Sequence, residues 1–343
     1  MIEVHYQKET VFQRHAQNPI LEPSHWPYLV DSVFNPGAVR LLDGTTVLLC
    51  RVEDRRGISH LSVARSTNGV DGWVLDDQPS LMPQPDKYPE EAWGIEDPRI
   101  TYIPELAKYA IVYTAYSQSG PGISLAFTQD FRTFERQGVI VAPTAKDATL
   151  LPKRINGQWA LVHRPARHIS DNQARFFARR PQEQPEPPDG HIWVSFSSDL
   201  HHWQSHRLIL HAREGTWWDA NKIGVTIPLI ETDEGWLMLY HGVRQTASGS
   251  IYRSGLALFD AELQACSLRG DMWIVGPEAA YERIGDVPNI VFPCGYTLAP
   301  DGDTISLYYG AADTSIGLMT ASVRGMLAWL HVHGQPSVPP KTH

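Results

Sequence analysis

Charged side chains occur inside several short segments that otherwise have the composition of buried strands. Arg51 follows the apolar run VLLC, and Arg164 follows WALVH. A charge at such a position is costly unless it is paired or functional. One such residue is more often half of a structural ion pair. Several of them at matching positions indicate a shared site.

Comparable polar residues recur along the chain in two sets. The first set lies where a strand begins and contains Asn35, the run Glu96-Asp97-Pro98-Arg99, Asp147 and the pair Asn221-Lys222. The second set lies where the next strand ends and contains Arg51, Arg164, His241 and Asp313. In three of the repeats the two sets are 16, 17 and 19 residues apart. Such intervals are expected for hairpins whose turns vary in length.

These residue types fit the recognition of an anion and a sugar. Arg51, Arg164 and Lys222 directed at one point would form a receptor for an oxyanion, because arginine offers a planar fork of donors and lysine a compact charge. A carboxylate beside a sugar hydroxyl can act as a general acid. Trp93 and Tyr88, in the loop before the second polar run, are the aromatic candidates for packing against a sugar ring.

Other patterns give no support for a metal or a nucleotide. The histidines between residues 201 and 211 lack the spacing of a helical H-E-x-x-H pattern or a Cys/His knuckle. The chain contains no G-x-G-x-x-G, Walker A or G-x-S-x-G sequence. We therefore expect no metal and no cofactor. The remaining basic residues near the candidates are expected to be solvated or loop charges: Lys146, Arg175, Arg179 and Arg180.

The elements that must position the candidates are short strands in a repeated order. Five runs rich in β-branched and aromatic residues are each preceded and followed by another strand, and they begin at Thr45, Tyr109, Trp159, Trp236 and Thr304. Small residues of the third strands recur 62, 71, 60 and 62 residues apart, at Ser62, Ser124, Ser195, Gly255 and Gly317. A period near 60 residues with three or more strands per unit is typical of a propeller. The sequence predicts an all-β fold, a five-bladed β-propeller, with the polar residues facing its axis.

The predicted domain organisation is one propeller domain over residues 1–343. Residues 1–30 are expected to form an N-terminal arm that closes the ring or covers the site. The proline-rich run 179–191 reads as an extended surface loop inside the third repeat. Residues 334–343 are expected to be a disordered tail.

Composition narrows the classes of partner and the compartment. The 343 residues include 29 Lys and Arg against 38 Asp and Glu, a net charge of −9. This balance argues against nucleic acid and anionic membranes as partners. Three dispersed cysteines, Cys50, Cys266 and Cys294, fit a reducing compartment. With no apolar leader and no run long enough for a membrane helix, the sequence predicts a cytoplasmic protein. This net negative charge is also unfavourable for binding an anionic substrate.

Nine segments carry a resemblance to a known family. They are FNPGAV (34–39), CRVED (50–54), SVARSTNG (62–69), GIEDPRI (94–100), HRP (163–165), NKIG (221–224), GWLMLYHGV (235–243), PNIVFPCG (288–295) and YYGAADT (308–314). Together they resemble glycoside hydrolase family 130, the family of β-mannoside phosphorylases and some β-mannosidases. The similarity runs from about Asn35 to Ser322. It implies a five-bladed propeller, in agreement with the repeat count.

The resemblance also implies a role for each candidate. Asp97 matches the family's general acid, which is thought to protonate the glycosidic oxygen through the 3-hydroxyl of the mannosyl unit. The phosphate-binding candidates are Arg51, Arg164, Lys222, His241 and Tyr252. The substrate-binding candidates are Asn35, Glu96, Asp147 and Asp313, of which Asn35 and Asp313 match residues that contact the mannosyl unit.

The implied reaction is inverting phosphorolysis of a β-mannoside to α-D-mannose 1-phosphate. The substrate would be of the mannobiose, mannooligosaccharide or mannosyl-glucose type, with inorganic phosphate as co-substrate. The run VTIPLI after Gly224 and the segments 167–173 and 179–191 look individual to this chain. The glycosidic linkage and the acceptor sugar therefore stay open, as does the oligomeric state, although relatives often associate.

Two alternatives remain beside the phosphorylase. A β-mannosidase would use water, with Asp97 and a second carboxylate such as Glu96, Asp147 or Asp313. A non-catalytic carbohydrate-binding propeller is the other. The cationic set of Arg51, Arg164 and Lys222 argues against it, because a lectin needs no phosphate receptor.

Overall fold

The computed structural model describes residues 10–142, 144–165, 190–247 and 249–337. Within these ranges the strands form five antiparallel sheets, each ordered from an inner to an outer strand. The prediction of a five-bladed propeller is confirmed. The segment 167–173, most of the proline-rich run, and Arg175, Arg179 and Arg180 lie outside the described residues.

The first three blades follow one another along the chain and contain four strands each. Blade one contains β2 (Ser32–Arg40), β3 (Thr46–Glu53), β4 (Ser59–Ser66) and β5 (Val74–Leu75). Blade two contains β6 (Ile95–Ile103), β7 (Lys108–Ser117), β8 (Gly120–Thr128) and β9 (Glu135–Val141). Blade three contains β10 (Ala145–Leu150), β11 (Trp159–Pro165), β12 (Ile192–Ser197) and β13 (Gln204–Leu210).

The last two blades also recruit strands from the ends of the chain. Blade four contains β14 (Lys222–Val225), β15 (Ile230–Thr232), β16 (Gly235–Thr246), β17 (Gly249–Phe259), β18 (Cys266–Gly270) and the late strand β22 (Gly334–Gln335). Blade five contains β19 (Val291–Leu298), β20 (Thr304–Ala311), β21 (Ser315–Ser322) and the early strand β1 (Gln13–Arg14). Two helices follow blades four and five, α1 (Ala280–Arg283) and α2 (Val323–His333).

The N-terminal arm completes the ring. Gln13 and Arg14 of β1 pair with Thr320 and Met319 of β21, so residues before blade one supply the outer strand of blade five. Further along the arm, Leu21 bridges to Ile316. The ring is thus closed by hydrogen bonds between the two ends of the chain rather than by continuous sequence.

The described C-terminal residues are ordered further than the sequence suggests. The helix α2 buries Trp329 and Leu330, and the N–H of Gly334 bonds to the carbonyl of Leu330. Gly334 and Gln335 then pair with β18, so the prediction of a disordered tail is wrong for these two residues. The reason is the packing of α2, which carries the chain to the edge of blade four.

No helix in the described ranges is long and apolar enough to cross a membrane.

Apolar side chains fill the space between each pair of neighbouring blades. Between blades one and two, for example, Val47 and Leu61 pack with Ile95 and Ile111 in one buried cluster. Four further clusters lie between the other pairs, and the one between blades five and one includes Leu21 of the arm. Because each blade buries both faces only against its neighbours, the five cores hold the inner strands in a fixed ring.

Candidate active site

One cavity of about 550 Å³ receives residues from all five inner strands or the strands beside them. Its volume falls within the range of about 300 to 1,000 Å³ that is usual for small-molecule sites. The structure brings all ten candidate residues to its lining: Asn35, Arg51, Glu96, Asp97, Asp147, Arg164, Lys222, His241, Tyr252 and Asp313. Residues that are up to 278 positions apart in the sequence therefore meet at one place.

A repeated backbone irregularity presents three of these side chains. The pairing of the inner strand with the second strand shifts between Phe34 and Gly37 in blade one, and at the same point in blades two and three. The residues at these bulges are Asn35, Asp97 and Asp147, with φ of 43°, 50° and 53°. Asn and Asp adopt this left-handed conformation more readily than other non-glycine residues. The bulge is a device that redirects a side chain at the end of a strand.

Asp97 is buried and accepts two hydrogen bonds on Oδ1. One comes from Asn35 Nδ2 at 2.9 Å and one from Arg51 Nη1 at 3.1 Å. Burial alone would raise the pKa of Asp97, but the charges of Arg51, Lys146 and Arg99 and the hydrogen bond from Asn35 together lower it. These contacts therefore favour the carboxylate form of Asp97.

Arg51 is surrounded by carboxylates. Besides Asp97, its guanidinium lies 3.3 Å from Glu96 and 3.4 Å from Glu53. Burial opposes its charge, but these neighbours outweigh that effect and raise its pKa. The Arg51 guanidinium also stacks on the Phe34 ring, 4.5 Å from the ring centre. An arginine held in this way is a fixed part of the lining.

A second ion-pair cluster is formed by Asp147 and Arg164. Nε and Nη2 of Arg164 donate to Asp147 Oδ2 at 2.8 and 2.6 Å, and both residues are buried. Burial would raise the pKa of Asp147, but Arg164 and the charges around it lower that pKa well below the usual range. Gly224 permits this packing, because a Cβ there would lie 2.5 Å from Asp147 Oδ2 and from His241 Cε1.

His241 borders the same cluster as a neutral imidazole. Its Nε2 is 3.6 Å from Asp147 Oδ2, while its Nδ1 is buried without a hydrogen-bond partner in the described part of the chain. Burial lowers the pKa of His241 to about 3, with Asp147 opposing that change. The ring can therefore offer a neutral donor or acceptor to a bound anion, but not a positive charge.

Lys222 and Tyr252 stand together at the side of blade four. Lys222 Nζ lies 5.4 Å from the centre of the Tyr252 ring, within the range of a cation–π contact. Among the described residues Lys222 has no carboxylate within 4 Å. It therefore differs from Arg51 and Arg164, whose charges are already balanced by the protein.

The charges are unevenly divided between the blades. In blades one, two and five the carboxyl groups of Glu53, Glu96, Asp97 and Asp313 outnumber Arg51, whereas in blades three and four Arg164 and Lys222 outnumber Asp147. Lys146 of blade three lies between them, 3.9 Å from Glu96. The cavity thus has an acidic part suited to hydroxyl groups and a basic part suited to an anion.

The prediction that Lys146 is a solvated or loop charge is wrong. Lys146 lines the cavity, where burial opposes its charge and the carboxylates of Glu96, Asp147 and Asp97 raise its pKa. A signal was present, because Lys146 directly precedes Asp147 as Glu96 precedes Asp97. Asn221, which the sequence places beside Lys222 in the first polar set, also lines the cavity. Further lining residues that the sequence does not indicate are Tyr116, Pro121, Gly190, Ile290 and Phe292.

The two aromatic candidates for a sugar platform lie elsewhere. Trp93 is 40% exposed and contacts the ring of Tyr116, which is itself in the cavity lining. Tyr88 lines a separate cleft, and both Lys87 and Arg136 lie over its ring, at 5.2 and 5.4 Å. Its prediction as a platform is wrong, since the chain's own cations lie against the ring.

The described residues bring no group of three or more His, Cys, Asp or Glu side chains together in a way that could hold a metal ion. The histidines of the 201–211 segment have other contacts. His206 Nδ1 bonds to Ser195 Oγ, and His202 Nδ1 bonds to Asp199 Oδ2.

Comparison with known proteins identifies the family to which the chain belongs. The model of glycoside hydrolase family 130, described as beta-1,4-mannooligosaccharide phosphorylase, matches residues 11–332. The chain belongs to this family. The matched residues thus include all the cavity residues, most of the arm and every described blade strand except β22.

Individual family 130 relatives are similar over most of their length. A 1,2-beta-oligomannan phosphorylase of Thermoanaerobacter sp. (strain X514) is 32% identical over 89% of this chain and 95% of its own. A beta-1,2-mannobiose phosphorylase of Listeria innocua is 34% identical over 81% of this chain and 70% of its own. Among solved structures, a beta-1,2-mannobiose phosphorylase from Listeria innocua in complex with beta-1,2-mannobiose superposes with a TM-score of 0.79. It is 28% identical, over 94% of this chain and 99% of that one.

The run VTIPLI after Gly224 has a structural role in this chain. The buried side chain of Arg99 donates to the carbonyls of Thr226 and Val225, at 2.8 and 3.2 Å, and to that of Asp97 at 3.0 Å. Arg99 therefore links the inner strand of blade two to the end of the inner strand of blade four.

Proposed function

We propose that the protein is an inverting phosphorylase that cleaves a β-mannoside with inorganic phosphate and releases α-D-mannose 1-phosphate. The observation that carries the proposal is the division of the cavity into an acidic part around Asp97 and a basic part around Arg164 and Lys222. Membership of family 130 and the phosphorylase names of the similar proteins support it.

In this proposal the basic part of the cavity holds phosphate. Lys222 supplies an unbalanced charge, Arg164 supplies the N–H groups that do not bind Asp147, and neutral His241 and Tyr252 supply hydrogen bonds. Arg51 contributes less charge to the phosphate, because three carboxylates already bind its guanidinium group. Asp147 acts mainly through Arg164, whose guanidinium it orients.

The mannosyl unit lies in the acidic part, beside Asn35, Glu96 and Asp313. A phosphate oxygen attacks the anomeric carbon, the glycosidic bond breaks, and the leaving oxygen takes the proton of Asp97 through the sugar's 3-hydroxyl. A phosphate dianion adds negative charge near Asp97 and so raises its pKa toward the value that an acid needs. Binding of the nucleophile thus prepares the acid. Positioning and electrostatics supply most of the rate.

The hydrolase is the second candidate, and the contacts of the carboxylates disfavour it. An inverting hydrolase needs a carboxylate base for water. Glu96 is paired with Arg51 and lies near Lys146, and Asp147 is bound by Arg164. Ion-paired carboxylates are weak bases.

The experiment that tests the proposal measures sugar release from β-1,2- and β-1,4-mannobiose with and without phosphate. We expect release to require phosphate and to yield mannose 1-phosphate of α configuration. Release that does not change when phosphate is omitted would show a hydrolase instead. Synthesis in the reverse direction, from α-D-mannose 1-phosphate and a panel of acceptor sugars, then identifies the acceptor and the linkage.

Cofactor use, location and association stay predictions. We expect the reaction to need no metal or organic cofactor, so chelation should leave it unchanged. The cytoplasmic location, the single domain and the possible homo-oligomer rest on the sequence.

A further inference from the structure

Asp313 is held in the cavity by a tight turn between β20 and β21. Ala312 and Asp313 have φ of 48° and 50°, and the N–H of Thr314 bonds to the carbonyl of Ala311 at 3.0 Å. Two consecutive left-handed residues define a type I′ turn. An alanine in this conformation is strained. The turn is therefore imposed by its surroundings.

The segment after α1 provides that constraint. The N–H groups of Asp286 and Val287 bond to Thr314 Oγ1 and to the carbonyl of Ala312, at 3.0 and 3.1 Å. The N–H of Ala312 in turn bonds to the carbonyl of Ile290. These bonds hold the Asp313 carboxyl group in one place before any ligand binds.

The groups that face Asp313 leave its charge unbalanced. Arg51 and Glu53 face it from β3, and Glu96 and Asp97 face it from β6, with Lys146 beyond Glu96. Arg51 lies within 4 Å of the other three carboxylates but not of Asp313. Four carboxyl groups therefore share Arg51 and Lys146, with Arg99 acting on Asp97.

One oxygen of Asp313 also lacks a partner. Its Oδ1 is buried and accepts no hydrogen bond from the described residues. A buried, unpaired carboxylate oxygen is costly, and a carboxyl group in that position is more stable when it is protonated. Burial raises the pKa of Asp313, Arg51 opposes the rise, and Asp97, Glu53 and Glu96 add to it, which gives a value of about 7.

We propose that Asp313 enters the reaction as a neutral carboxyl group whose O–H donates a hydrogen bond to the mannosyl unit, and that its neutrality prevents water from replacing phosphate. The inference rests on the proposed function. Of the three carboxylates suited to act as a base for water, Glu96 and Asp147 are ion-paired and Asp313 keeps its proton. During phosphorolysis only Asp97 gives up a proton, and Asp313 is unchanged.

Two substitutions separate a neutral carboxyl group from a carboxylate. Asp313→Asn keeps a neutral group of the same shape that can donate a hydrogen bond, and asparagine tolerates the positive φ. Asp313→Gly also tolerates the turn but removes the group. We expect Asp313→Asn to lose less kcat/KM for phosphorolysis near pH 6 than Asp313→Gly. Asp313→Gly should lose about three- to tenfold in kcat/KM, as for one lost hydrogen bond.

The pH dependence gives a readout that a purely structural role would not change. We expect the affinity of the wild-type protein for β-mannobiose, measured by calorimetry without phosphate, to fall several-fold as Asp313 ionises between about pH 6 and pH 8. The Asp313→Asn affinity should stay constant over this range. Phosphate is omitted because phosphate itself changes its protonation state within this pH range. Slow hydrolysis should rise with pH in the wild type and be absent from Asp313→Asn.

The outcomes distinguish this inference from the proposed function. Sugar release that is independent of phosphate in the wild type contradicts the proposed function. If phosphate is required but Asp313→Asn loses as much activity as Asp313→Gly, with both folded by thermal melting, the neutral Asp313 is wrong. Equal pH profiles of mannobiose binding in wild type and Asp313→Asn overturn it as well.

Discussion

At the scale of single residues, the cavity contains charges that the protein has already paired and one charge that it has not. Arg51 and Arg164 each bind a carboxylate within 3.1 Å, whereas Lys222 lies against the Tyr252 ring and has no carboxylate within 4 Å among the described residues. A paired charge is oriented but partly neutralised, and an unpaired one attracts an anion. The two kinds of residue therefore respond differently to substitution.

Substitution of Asp97 tests the acid. Asp97→Asn should lower kcat by about 10²- to 10⁴-fold, because the amide cannot supply the proton. Phosphate binding, followed by thermal shift with phosphate, should be largely retained, since the change leaves the basic part of the cavity intact. The exposed residue Asp86 provides the matched control, Asp86→Asn. Wild-type turnover in Asp97→Asn would exclude the role.

Substitution of the basic residues tests the anion site. Lys222→Ala should raise the KM for phosphate by about ten- to a hundredfold, which corresponds to a lost charge-assisted contact of roughly 1.5–3 kcal/mol. Arg164→Ala should show a similar loss and also a lower melting temperature, because Asp147 stays buried without its partner. The exposed Lys87→Ala serves as control. An unchanged phosphate KM in Lys222→Ala would refute its role.

The sequence identifies polar residues inside strands well, because a charge in an apolar run is unusual wherever it occurs. Arg51 and Arg164 were found in this way. Lys146 was not, since it follows a turn and looks like a loop charge. The sequence does not identify Phe292 and Tyr116 either, because an aromatic residue in a strand can equally well pack between two blades as line the cavity. Which ring faces the cavity depends on contacts between blades that no local pattern records.

At the scale of secondary-structure elements, the strand order was predictable and the ring closure was not. The five three-strand repeats give a strong period in the sequence. The strand β1 has two residues and no recognisable pattern of its own. Its place on β21 is determined by side chains, above all by Arg14, which contacts the segment around α1.

Arg14 provides a test of the closure. Its Nε lies 2.7 Å from Glu282, a fully buried carboxylate that also accepts hydrogen bonds from Tyr309 and two backbone N–H groups. Arg14→Ala should lower the free energy of unfolding by about 3–5 kcal/mol, because the buried charge of Glu282 loses its counter-ion. Urea denaturation measures the change.

Two further variants make the closure test specific. Arg14→Ala combined with Glu282→Gln should regain part of the loss, because no buried charge is then left unpaired. The exposed Arg55→Ala should have little effect. A loss of less than about 1 kcal/mol in Arg14→Ala would place the stability of the closure elsewhere, since exposed pairs contribute that little.

At the scale of the whole molecule, several buried groups titrate far from their usual range, and their balance sets the pH dependence of stability. Burial lowers the pKa of His60 to about 4 and that of His163 and His241 to about 3. In the unfolded chain these rings bind protons near pH 6.5. The unfolded state then holds more protons, so stability falls as the pH drops below about 6.5.

Asp313 acts in the opposite direction, because its pKa is raised and the folded state holds its proton up to about pH 7. Three histidines against one carboxyl group leave a net difference of two protons. The free energy of unfolding should therefore fall by roughly 2–3 kcal/mol per pH unit between about pH 6 and pH 4.5. Melting curves at several pH values check this. His163→Gln should reduce the slope, and the exposed His201→Gln should not. A stability that is constant from pH 7 to 5 would contradict the assignment.

The left-handed backbone of Asn35, Asp97, Asp147 and Asp313 has a consequence for how the enzyme can diversify. At each position only asparagine, aspartate and glycine enter that conformation without strain. Mutational libraries that vary these four codons freely should yield mostly unstable proteins, whatever substrate is selected. New acceptor or linkage preferences are therefore easier to obtain at lining residues with ordinary extended backbone, such as Tyr116 and Phe292. The backbone of the propeller thus restricts substitution at the four left-handed positions and allows it at the other lining positions.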